Sequence, residues 1–185
     1  MAQEKKFDVL LNKYWDTYRK NPAKARRYLQ KLDYKNNFYL LRCIAQTYLD
    51  ESQFEPESNK RLKETNFRKW RMAEKYIIQA FKMNSDNAEV VYTMGDIRKQ
   101  NFQDDIAIYC FEKVINLGAK KIASQEYSGG IDFAKELIND ARFEMYRLHH
   151  HINPKLANKY LEEYKKNIKR GTSTIFIPLK KFLLD

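Results

Sequence analysis

Residues 73–118 hold three helical patterns back to back, with so little chain between them that few folds remain open. The first places Ala73, Ile77, Ala80 and Phe81 three or four apart. The second uses Val90, Val91, Met94 and Ile97, and the third Ala107, Phe111, Val114 and Ile115. Each set lies on one stripe of a 3.6-residue helix. Between the first two, Asn84-Ser85-Asp86-Asn87 suits both a turn and a helix N-cap, because short polar side chains bond back to the backbone. Residues 101–105 separate the second and third helices in the same way, and Gly118 reads as a C-terminal stop. Connections this short force neighbouring helices to pack antiparallel. Small residues at Ala73, Ala80, Gly95 and Ala107 let the helices approach. A mid-helix glycine costs about 1 kcal/mol relative to alanine, so a tight crossing is expected at Gly95 in compensation.

The same frames recur outside this stretch. Residues 5–19 are amphipathic, with Phe7, Leu10, Leu11, Tyr14, Trp15 and Tyr18. Asn21-Pro22 restarts a helix, with the asparagine as N-cap and the proline at the first helical position. Ala25-x3-Leu29-x2-Leu32 follows in the frame of Ala73-x3-Ile77-x2-Ala80. Asn36-Asn37 opens the next helix, which carries Leu41, Ile44, Ala45 and Tyr48. Its partner helix starts about sixteen residues late, so residues 50–67 read as an insert, either a loop or an extension of the Trp70 helix. Past Gly118, residues 119–130 are expected to be irregular, with a short turn at Ile122 and Tyr127. A long helix then carries Ile131, Ala134, Ile138, Ala141, Met145 and Leu148. Asn153-Pro154 turns the chain into a last helix with Ala157, Leu161 and Tyr164, which Gly171 ends.

At Val91-x2-Met94-Gly95 followed by Ala107-x3-Phe111-x2-Val114 the chain resembles the tetratricopeptide repeat family. Ala73 and Ala107 stand 34 residues apart, the period of that family. Leu41-x2-Ile44-Ala45-x2-Tyr48 matches its first-helix pattern. Two departures are Arg98, where an aromatic is usual, and the lack of a proline after Leu117. The resemblance implies an all-α fold: a right-handed superhelical solenoid of about four antiparallel helix hairpins forming one domain over residues 1–185. The repeats fall at about 5–35, 36–85 (with the insert 50–67), 86–118 and 131–170. Residues 172–185 are rich in apolar side chains, and are expected to fold back as a cap over the last open face or to dock on a partner or a second copy of the chain.

Composition narrows the function. The 185 residues are 43% hydrophobic and 14% aromatic, enough for a core, and the formal net charge is +11. Such a charge favours anionic partners. It concentrates at the ends, with ten Lys or Arg against three Asp over residues 5–35 and eight against two Glu over 155–181. Tyr28, Tyr34, Tyr160 and Tyr164 are interleaved there, so contact with an RNA or DNA backbone is the alternative reading. Residues 1–6 are polar with no apolar run behind them, and no stretch approaches a membrane span; a soluble, cytoplasmic protein with no membrane partner is expected. Cys43 and Cys110 sit on apolar stripes and read as buried free thiols.

No catalytic constellation emerges. His149-His150-His151 are adjacent, whereas helical metal ligands need spacings of three or four to converge. Phosphate-loop and nucleophile-elbow motifs are missing, and Asp104-Asp105 is explained by the helix dipole. A binding protein without cofactor or metal is therefore expected, not an enzyme. What the resemblance implies instead is a concave groove lined by the first helix of each repeat, which takes a peptide or partner helix. The groove positions are Tyr39, Arg42, Gln46 and Leu49 in the second repeat, Glu89, Tyr92, Asp96 and Lys99 in the third, and Asn139, Arg142 and Tyr146 in the fourth. One subclass clamps the C-terminal carboxylate of chaperones. Arg42 and Gln46 partly fit such a clamp, but Thr93 stands where it needs an asparagine, and Glu89 and Asp96 would repel a carboxylate, so that ligand is not expected.

Overall fold

The computed structural model describes residues 2–53 and 60–176. Eight α-helices are formed among the described residues, and no strand: α1 (Ala2–Tyr18), α2 (Pro22–Leu29), α3 (Phe38–Gln53), α4 (Lys60–Met83), α5 (Ala88–Gln100), α6 (Asp104–Ala123), α7 (Gly130–His149) and α8 (Pro154–Lys169), with a 3-10 turn at Tyr34–Asn36 between α2 and α3. The contacts group into two compact units, Met1–Ser85 and Asp86–Asp185, which divide where a repeat boundary is expected. In the first unit α1 packs on α2, α2 on α3 and α3 on α4; in the second α5 packs on α6, α6 on α7 and α7 on α8.

Asparagine caps set the helix starts. Asn21 Oδ1 accepts from Lys24 N at 2.9 Å, Asn37 Oδ1 from Leu40 N at 3.0 Å, Asn87 Oδ1 from Val90 N at 3.1 Å and Asn153 Oδ1 from Leu156 N at 3.1 Å. Each bond satisfies one of the orphan amides of a first turn. Pro22 and Pro154 open α2 and α8 at no hydrogen-bonding cost. Most of the insert is helical: α3 continues to Gln53 and α4 begins at Lys60, as the extended Trp70 helix requires, and only residues 54–59 lie outside the described residues.

The cores are built from the predicted stripes. Ala25, Leu29, Leu41, Ile44, Ala45, Ala73, Ile77 and Ala80 are fully buried in the first unit. In the second, so are Val91, Ile97, Ala107, Phe111, Val114, Ala134, Ala141, Met145 and Ala157. Ile131 departs from its stripe and is exposed, because it stands in the first turn of α7. Both cysteines are buried free thiols, and burial pushes the Cys110 thiol up to about 11. Gly95 supplies the expected close crossing: a Cβ there would lie 3.0 Å from Cys110 Cβ and 3.1 Å from the Phe111 ring.

Gly118, at φ 74°, kinks α6 and does not end it: helical structure resumes to Ala123, within the stretch 119–130 expected to be irregular. This last turn buries Ile122 and leads to Gln125. The Gln125 side chain accepts from Ala88 N at 2.9 Å and donates to Asp86 O at 2.7 Å, tying the end of α6 to the start of α5.

Candidate functional site

The expected groove positions are not an open surface. In the first unit Tyr39, Arg42, Gln46 and Leu49 on α3 are all buried. Gln46 Nε2 donates to Asp50 Oδ1 at 2.8 Å, and the Tyr18 hydroxyl on α1 donates to Asp50 Oδ2. The Arg42 guanidinium, 3% exposed, sits 5.3 Å from the Tyr39 ring, with Tyr14 and Tyr18 of α1 also close. Burial first, then the Asp50 charge, raises the Tyr18 phenol well above its ordinary value, so this hydroxyl stays a proton donor. The face of α3 is therefore closed from within its own unit, where Tyr14 and Tyr18 of α1 meet Arg42 and Asp50 of α3.

In the second unit the corresponding residues meet α7. Glu89 and Tyr92 are buried, and Asp96 and Lys99 half-buried. Lys99 Nζ lies 2.9 Å from Asp96 Oδ1 and 2.6 Å from Glu144 Oε2, and Arg147 Nη1 lies 3.3 Å from Glu144 Oε1. Of the positions expected on α7, none faces this cluster. Asn139 Oδ1 accepts from Asn167 Nδ2 at 3.1 Å, and Arg142 Nε lies 2.9 Å from Glu163 Oε2; both contacts run to α8. Tyr146 packs at 5.7 Å on the Phe143 ring, which with Tyr164 forms the α7–α8 core. The residues that α7 turns toward α5 are instead Asp140 and Glu144, one helical turn apart, 0% and 5% exposed.

Asp140 is where the tail arrives. Gly171 follows α8 at φ 88°, its N–H donates to Ile168 O at 3.0 Å and the Thr172 N–H to Asn167 O at 3.0 Å. This pair of bonds is the Schellman arrangement, which reverses the chain and is open to glycine without strain. The reversed segment reaches the α5–α7 face. Ile175 N and Phe176 N both donate to Asp140 Oδ2 at 2.9 Å, and the Phe176 ring stacks on Tyr92 with centroids 4.9 Å apart and planes at 18°. The segment covers this face of the unit; residues 177–185 of the expected cap lie outside the described residues.

Burial pushes the Asp140 carboxyl up to about 7; Glu144 and Glu136 push the same way, while the two tail amides pull it back. The same burial, with Asp140, Glu144 and Asp96 around it, holds the Tyr92 phenol well above its ordinary value. Magnitudes show the docking to be finely balanced. Two hydrogen bonds to Asp140 contribute about 1–3 kcal/mol while the carboxyl is protonated and about 3–6 kcal/mol once it ionises, and half-burying an aliphatic and an aromatic side chain adds about 2 kcal/mol. Ordering five residues costs about 5–10 kcal/mol.

A second feature lies in the first unit. Lys35, Lys75 and Lys82 surround Tyr34, Tyr76, Gln79 and Met83 around an open cavity of about 400 Å³. Tyr76 stacks on Tyr48 at 5.8 Å, and the Arg26 guanidinium lies 3.6 Å above the other side of that ladder, on the Tyr48 ring. Four cations against one carboxylate line a similar hollow on α8, at Glu162, Lys165, Lys166, Lys169 and Arg170. Among the described residues no group of three or more His, Cys, Asp or Glu has the geometry of a metal site, and no helix is long and apolar enough to cross a membrane.

The chain matches no family model, and no curated protein and no solved structure matches it. The tetratricopeptide resemblance thus rests on the residue pattern quoted above.

Proposed function

We propose that this chain is a protein-interaction adaptor of the tetratricopeptide type, a superhelical array of helix hairpins whose first helices receive an extended peptide or a partner helix. One observation carries the reading: the α5–α7 face holds a non-helical stretch of polypeptide that bends at Ile175–Phe176, with two consecutive backbone amides on Asp140 and an aromatic ring on Tyr92. Backbone amides bonded to a buried carboxylate grip a chain regardless of its sequence, and the ring contact adds side-chain preference. A site with these parts suits recognition of a polypeptide segment.

The test is capture from native extract on the immobilised chain, with nuclease, compared between the native chain and Asp140→Ala. The expected result is a discrete protein retained after nuclease and lost with D140A. Retention that nuclease abolishes overturns the reading.

The hollow of Lys165, Lys166, Lys169 and Arg170 at α8 favours the second reading, in which the basic ends hold a nucleic-acid backbone. Salt separates the two. Three lysines on phosphates lose roughly 80-fold in affinity over a fivefold rise in salt, whereas a largely apolar peptide contact changes little.

A further inference from the structure

The geometry points to a self-occupied site: the α5–α7 face is the seat for a non-helical segment carrying an aliphatic–aromatic pair at a bend, and residues 172–176 are its resident, displaceable occupant. A partner segment then binds only by releasing the tail. The inference rests on the adaptor reading for its biological partner, but the occupancy itself is tested independently of it.

Three features support it. The segment leaves α8 by a reversal at Gly171 that aims it at the face within five residues, so the tether is short and the local concentration of the tail is high. Its grip depends little on its own sequence, since Ile175 and Phe176 engage Asp140 through backbone N–H groups that any non-proline segment also presents. A side-chain contact that adds preference is the Phe176 ring on Tyr92. The seat, by contrast, is built in advance. Tyr92 is held edge-on at 5.3 Å against Phe111 of the α5–α6 core, and Glu144 is fixed between Lys99 and Arg147. Asp140 Oδ1 is buried with no hydrogen-bond partner among the described residues, so the seat retains a polar atom that the tail does not use. Ile175 and Phe176 remain half-exposed where they lie, unlike the buried residues beneath them. A rigid seat under a partly exposed, backbone-held segment is the arrangement from which a competitor can take over.

The experiment is a titration of a fluorescein-labelled peptide of residues 171–185 with the full chain, read by anisotropy. The native chain should bind it weakly, because its own tail competes at the high effective concentration of a short tether. Phe176→Ala weakens that competitor, and the labelled peptide should then bind about tenfold tighter. Phe176→Ala combined with Asp140→Ala should lose the gain. Equal affinity for native and F176A chains, or no binding to a folded F176A chain, overturns the proposal. Ile175→Pro, which deletes one amide on Asp140 outside every helix, gives a second route to the same gain. If both tail variants unfold by circular dichroism, the tail is an integral part of the fold and the proposal fails. A tail that competes as described while no partner is captured from extract leaves the self-occupied site standing and removes only the adaptor reading.

Discussion

Asp140 and Gly95 show what single positions decide. The folded Asp140 keeps its proton up to about pH 7, whereas an unfolded aspartate releases it near 4. The folded state therefore binds more protons between these values, and linkage makes its stability full below about pH 4 and progressively lost as pH rises to 7. Compared with Asp140→Asn, whose side chain does not titrate, the native chain should lose stability by a few kcal/mol across that window; urea midpoints at pH 4.5 and 7.5 check this. At Gly95 two effects oppose each other. Alanine gains about 1 kcal/mol of helix propensity, but its Cβ would press on Cys110 and Phe111, and overpacking costs about 1–3 kcal/mol. Since Phe111 is fully buried and Cys110 nearly so, overpacking should win, and Gly95→Ala should lower the urea midpoint. The glycine in the 91–95 pattern was readable as a crossing point because nothing else offsets its helical cost. Asp140 was not: a lone aspartate beside Asn139 carries no sign that a distant backbone will bond to it.

At the scale of elements the caps and the C-terminal reversal govern. Asn87 and Asn153 each cap a helix start with one side-chain bond, so Asn87→Ala or Asn153→Ala should cost about 1 kcal/mol, measured by thermal melts. Gly171→Ala should cost a similar amount, because the αL conformation is unfavourable for a residue with a Cβ by about 1–2 kcal/mol, and should also speed amide exchange at Ile175 and Phe176. A substitution on α8 away from Gly171 should leave those two amides unchanged. Helix starts were legible because Asn-Pro and Asn before an apolar stripe satisfy amides locally. The face that α7 turns toward α5 lies one or two residues on from the expected one: Asn139 and Arg142 meet α8, and Asp140 and Glu144 meet α5. One residue is 100° of rotation, and α7 is apolar over too wide an arc for its stripe to say which neighbour covers which edge.

For the whole molecule, each unit has a core of its own, and residues 86–185 expressed alone should give a helical, cooperatively unfolding protein by circular dichroism. The net charge of +11 acts at this scale through long-range attraction, which salt screens within about 10 Å at 0.1 M. Periodicity, small residues and caps determined by themselves that this chain makes packed consecutive helices, where most of those helices begin, and which stripes are buried, since those are local matters of hydrogen-bond satisfaction and of apolar spacing. Tertiary structure alone decided that Gln46 of α3 shares Asp50 with Tyr18 in one unit and that Tyr92 of α5 lies under Phe176 in the other. Those contacts join residues 32 and 84 positions apart, and such pairings are set by the directions in which whole helices and a reversed tail are aimed, which no local pattern encodes.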